Sequence, residues 1–144
     1  MPGLDKLENV KHGPHVVEFQ PWQSVIKTIT SPMITALGGK DNPDSLLSIG
    51  FAYITTPDML GGPTHEHPFD QWIFLIGADG RNFLEFDAEA EMFVGDKYEQ
   101  VNFSCYFFVP RGTPHCPLHV IRVGKPIIFI DARIPEEASV RPVQ

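Results

Sequence analysis

The chain has 144 residues, a formal net charge of −7, 42% apolar and 20% charged residues. That is one domain's worth of chain, with enough apolar side chains for a core without disulfides. The acidic balance argues against a sequence-independent nucleic-acid binder, which needs a basic face, and against attraction to an anionic membrane surface.

Taken in chain order, Met1–Pro14 is polar and reads as an arm. Met1–Lys11 has no apolar signal core, and no apolar run is long enough to span a bilayer, so a cytoplasmic setting is expected. Fourteen prolines and twelve glycines leave little room for long helices. A short helical turn is expected over Gln23–Ile29. Strands are expected at His15–Phe19, Leu46–Thr55, Gln71–Ile76, Asn82–Phe86, Tyr98–Phe103, Cys105–Val109, His119–Val123 and Pro126–Arg133, all rich in β-branched and aromatic residues. Turn signals separate them at Gly61-Gly62-Pro63, Ala78-Asp79-Gly80, Val94-Gly95-Asp96 and Gly124-Lys125-Pro126. The acidic stretch Asp87–Glu91 reads as a solvated loop, and Pro135–Gln144 as a second arm. The expectation is a single all-β domain, a sandwich or barrel over 1–144 with its core at about 46–134. Cys105 and Cys116 form no disulfide framework.

Two segments carry chemistry. In Gly61-Gly62-Pro63-Thr64-His65-Glu66-His67-Pro68-Phe69-Asp70-Gln71, residues two apart point to one face of a strand. His65 and His67 therefore aim two imidazoles at one point. Gln71 keeps the same parity if the strand resumes after Pro68. Asp70 is the competing oxygen donor, with the wrong parity. In Val109-Pro110-Arg111-Gly112-Thr113-Pro114-His115-Cys116-Pro117-Leu118-His119, the prolines rule out a helical His-x₃-His face. His115 instead opens a strand and could bring a third imidazole from across a barrel.

These segments resemble the two motifs of the cupin superfamily. The first is HxH, a short spacer, then a carboxylate and a later glycine: His65, His67 and Gly77 fit, and Gln71 stands where Glu is usual. In the second, Pro110, Gly112 and His115 match, while His119 replaces an Asn and Ser104 a glycine. The resemblance covers roughly 48–132. It implies a double-stranded β-helix, or jelly-roll barrel, with N- and C-terminal arms. It also implies one divalent transition metal ion per chain (Zn, Mn, Fe, Ni or Co) on His65, His67, Gln71 and His115, and a homodimer. A neutral amide in place of a carboxylate leaves the ion its full charge, which suits an anionic small-molecule substrate and non-redox Lewis-acid chemistry. Isomerase, lyase or cyclase reactions fit. A dioxygenase and a non-catalytic binding module are the alternatives. On this reading Gln71→Glu keeps the metal and weakens anion binding.

Weaker candidates surround the set. Tyr53 could point inward as an acid. Arg122 or Arg133 could clamp a substrate carboxylate. His119 could support a ligand from behind, and Glu91 could act as a base at the mouth. Arg81 reads as solvated and His12 and His15 as structural, with Trp72, opposite in parity to Gln71, on the outer face.

Overall fold

The computed structural model describes residues 4–24, 26, 29 and 31–135. Two antiparallel sheets dominate. The five-stranded sheet runs β3 (Ile34–Ala36), β4 (Ser48–Ile54), β11 (Ile127–Ile134), β6 (Asp70–Gly77), β9 (Cys105–Val109). The four-stranded sheet runs β5 (Asp58–Leu60), β10 (His115–Val123), β7 (Ala88–Val94), β8 (Lys97–Val101). From β4 onwards the chain crosses repeatedly between the sheets, with only β7 and β8 consecutive in one of them, and the core lies between the two. One buried cluster joins Ile54, Ile73, Leu75, Ile127 and Phe129 of the first to Ala90, Met92, Leu118 and Val120 of the second. No helix among the described residues is long and apolar enough to cross a membrane.

Strand parity builds this core. Along β6, Gln71, Ile73 and Leu75 are buried while Trp72, Phe74 and Ile76 sit on the other face. As expected, Trp72 packs outside, 5.3 Å from Phe108 between ring centroids. The expected strand at 105–109 forms with the expected ends, those at 15–19, 46–55, 71–76, 98–103 and 126–133 form with shifted ends, and β10 starts at His115 rather than His119.

Two expectations fail together. Asn82–Phe86 is not a strand. Asn82 Oδ1 accepts from Leu84 N at 3.0 Å, and Glu85 N donates to Asn82 O at 3.2 Å, a local turn that competes with a ladder. The acidic stretch Asp87–Glu91 is not a loop but enters β7. Ala88, Ala90 and Met92 are buried between outward Glu89 and Glu91, a period of two that the charge count obscured.

Short elements lacking a sequence signal were missed: β1 (Val10–His12), β3 and β5. β1 pairs with β2 (Val16–Glu18) in a hairpin. The polar N-terminal segment is docked rather than free: Leu4 and Leu7 pack with Leu37, and buried Asn9 donates to Thr35 O and Asp41 Oδ2. The turn expected at Gln23–Ile29 falls partly outside the described residues, as does all of the C-terminal arm beyond Pro135.

Candidate metal centre

The loop before β6 carries His65 and His67, and the first residue of β10 is His115. His65 and His115 face each other as an antiparallel pair, with His65 N donating to His115 O at 3.0 Å and His115 N to His65 O at 2.9 Å. Gly112 N donates to His67 O at 2.8 Å, Arg111 N to Asp70 Oδ1 at 3.0 Å and Thr64 Oγ1 to Cys116 O at 2.7 Å. The turn that aims the Gly112 N–H needs φ of +75°, which glycine adopts without strain. The register of the two segments is thus fixed by backbone bonds, and the imidazoles converge because of it. Asp70 serves this clamp; it is not one of the converging donors.

The ligand-capable nitrogens of His65, His67 and His115 all lie within 4.8 Å of one another. Nδ1 of His65 lies 2.7 Å from Pro63 O, and Nδ1 of His115 lies 2.9 Å from Thr113 O. A carbonyl only accepts, so each Nδ1 carries a proton, and in the neutral ring the lone pair is then on Nε2. Burial, above all, holds the His115 pKa below its ordinary 6.5, which favours the neutral form that ligates. Phe69 stacks on the His67 ring at 4.7 Å and 7°.

Gln71 comes from the start of β6, on the inward face. It is 3% exposed; its Nε2 donates to Asp131 Oδ1 at 2.7 Å. Its Oε1 and His115 Nε2 are buried polar atoms with no hydrogen-bond partner. An unsatisfied buried polar atom costs about 1–3 kcal/mol, so two of them with a lone pair each need an electron-pair acceptor. Three neutral imidazoles and an amide oxygen are the donors that a divalent first-row ion takes. The residues present fit such an ion.

The other candidates lie elsewhere. Tyr53 is 51% exposed, on the outward face of β4, because the even-numbered residues of that strand fill the core. His119 also faces outward, its Nδ1 3.8 Å from Glu91 Oε1, since β10 shifts register between His115 and Leu118. Arg122 is at the surface with Asp87 and Glu89. Arg133 alone is near: its guanidinium is buried, 5.3 Å from the Phe69 centroid, and Nη2 donates to Asp131 Oδ2 at 3.2 Å. The Cys116 thiol is pushed up to about 12 by burial and by the Asp131 carboxylate, which makes it an inert core group.

The residue that sequence reasoning missed is Asp131. Its signal was available: Asp131 and Arg133, two apart, are the charges of an otherwise apolar run from Ile127 to Ile134.

No family model and no curated protein matches the sequence. Solved structures do. AerE from Microcystis aeruginosa is similar at TM-score 0.56 and 14% identity, over 90% of this chain and 51% of that one. Bacillus subtilis oxalate decarboxylase, described with Mn(II) centres, is similar at 0.52 and 14%, over 76% and 26%. KdgF from Halomonas sp. gives 0.50 and 16%, over 81% and 88%. The chain thus spans about half of the first and a quarter of the second. Oxalate decarboxylase and KdgF are cupin-superfamily proteins. With two facing antiparallel sheets and a histidine cluster between the loop before β6 and the start of β10, this chain has the cupin fold.

Proposed function

We propose that the protein is a metal-dependent enzyme that acts on a small anionic organic molecule by non-redox Lewis-acid chemistry, of isomerase, lyase or cyclase type. The observation that carries this reading is the neutral donor set: three imidazoles converge, and Gln71 offers a buried Oε1 with no hydrogen-bond partner. A bound divalent ion would polarise a carbonyl or carboxylate oxygen and stabilise charge that develops there. His65, His67, Gln71 and His115 would hold it and cancel none of its charge, which favours an anionic ligand. The fold likeness to oxalate decarboxylase, whose name gives a small acid and whose description gives Mn(II), is consistent with this. No acid or base is assigned, since Tyr53 and His119 face away from the site.

The test has two arms. Metal analysis of gently purified protein should find about one ion per chain. Calorimetric titration of loaded and chelator-stripped protein with oxalate and other small hydroxy or keto acids should show binding only when loaded. Equal binding by both forms would refute the Lewis-acid reading. Oxygen uptake on substrate addition would replace it with a dioxygenase. Tight binding without product would replace it with a binding module.

We further propose a homodimer in the cytoplasm. Phe51, Tyr53, Trp72, Phe74, Tyr106 and Phe108 form an apolar outer face on the five-stranded sheet. An antiparallel sheet face left in water is usually polar, so such a face is suited to a second copy. The free thiols of Cys105 and Cys116 suit a reducing compartment.

A further inference from the structure

The carboxylate missing from the donor set is present one bond further out. Asp131 is 1% exposed and takes Gln71 Nε2 at 2.7 Å on one oxygen and Arg133 Nη2 at 3.2 Å on the other. Strand geometry builds this chain. Asp131 and Arg133 are two apart on β11 and both face inward, and Arg133 lies directly opposite Gln71 in the β11–β6 ladder. Arg133 is held in turn by the face of Phe69, which stacks on His67.

A carboxylate offers only acceptors and a guanidinium only donors. The amide of Gln71 therefore has one satisfiable orientation beside Asp131: NH₂ towards the carboxylate and Oε1, which has no hydrogen-bond partner, away from it. Were the amide reversed, an oxygen would meet an oxygen and two N–H groups would face the site, where they bind no cation. We infer that Asp131, locked by Arg133, is a positioning residue that sets which end of the Gln71 amide faces the three imidazoles. It thereby makes a neutral side chain a metal donor. The carboxylate acts through the amide, and its charge is taken up by Arg133 rather than by the ion. The inference rests on the metal-site reading above, but concerns residues that would not touch the ion.

The test uses three proteins, stripped with chelator and titrated with Zn²⁺ by calorimetry, with thermal melting of each metal-free form. They are the wild type, Asp131→Asn, and the double variant Gln71→Glu with Asp131→Asn. In Asp131→Asn, Arg133 should hold the new amide's oxygen. Its NH₂ then meets Gln71, which turns its own oxygen away from the imidazoles. Zinc affinity should fall about 10–100-fold. In the double variant the carboxylate at position 71 accepts from the new amide and still faces the imidazoles, and the cluster keeps its net charge. Affinity should return to within a few-fold of wild type or exceed it. A purely structural Asp131–Arg133 pair predicts a lower melting temperature with unchanged zinc affinity, and no rescue. A folded Asp131→Asn protein with wild-type affinity would overturn the inference and leave the metal site standing. If that variant does not fold, the double variant decides, and its failure to bind zinc overturns the inference. A wild type that takes up no zinc, manganese or cobalt would overturn the metal site itself.

Discussion

The two faces of β6 make opposite demands on their surroundings. Inward, Gln71 places an amide oxygen in the buried interior with no hydrogen-bond partner. Outward, one residue along, Trp72 begins a row with Phe74 and Ile76 that leaves aromatic and aliphatic surface near water. A polar group inside and an apolar stripe outside invert the usual pattern for an antiparallel sheet. On the reading proposed above, an ion answers the first inversion and a second copy of the chain the other. If the two faces are independent, changes to one should leave the other's behaviour intact.

The largest effect is expected inside. Replacing both His65 and His67 with Ala removes two of the three converging imidazoles, so stoichiometric metal should be lost, with the oligomeric mass unchanged. Metal analysis beside light scattering checks both. Full metal retention in that variant would break the assignment.

Next comes the outer face. Phe74 lies 5.3 Å from Tyr106 on that surface, and Phe74→Glu puts a charge at its centre. A buried unpaired charge there should weaken self-association by at least ~1–3 kcal/mol, about 10–100-fold in dimer Kd. Zinc affinity should not move. A wild type that scatters as a monomer at micromolar concentration would remove the dimer from the account.

A smaller effect should follow pH. The His115 pKa is lowered in the folded protein, chiefly by burial. Below its ordinary value of 6.5 the unfolded chain therefore binds more protons than the folded one, and stability falls as pH falls, by less than ~1.4 kcal/mol per pH unit from this one group. The loss stops once pH drops below the folded value. Denaturant midpoints of the stripped protein from pH 7.5 to 5 measure it. The loaded protein should fall more steeply, because protons then also displace the ion.

The histidine cluster was legible because strand parity and proline are strict local rules. His65, His67 and Gln71 share odd numbering across Pro68, and the prolines around His115 leave only an extended chain. Even so, the sequence did not reveal that His65 and His115 are a hydrogen-bonded pair, since register between distant segments has no local signature. β7 was misread for a different reason. Its alternation Ala88-Glu89-Ala90-Glu91-Met92 is a clean period of two, but alanine is a weak strand former and the charges suggested solvent. Asp131 escaped because what it does depends on Gln71, sixty positions away. That contact also changes one expectation. Gln71→Glu alone would set two carboxylates side by side at the distance of the present 2.7 Å hydrogen bond. It should lose metal affinity rather than keep it, unless Asp131 is changed as well.

The central claim is that four side chains from one loop and two strands hold one ion. The most direct measurement is a crystal structure of the loaded protein, with anomalous scattering recorded on either side of the metal's absorption edge. The account predicts one anomalous peak per chain, bound by imidazole nitrogens of His65, His67 and His115 and by Oε1 of Gln71, at about 2.0–2.2 Å. A peak bound by Asp70 in place of Gln71, or an ion lodged away from the three histidines, would contradict it.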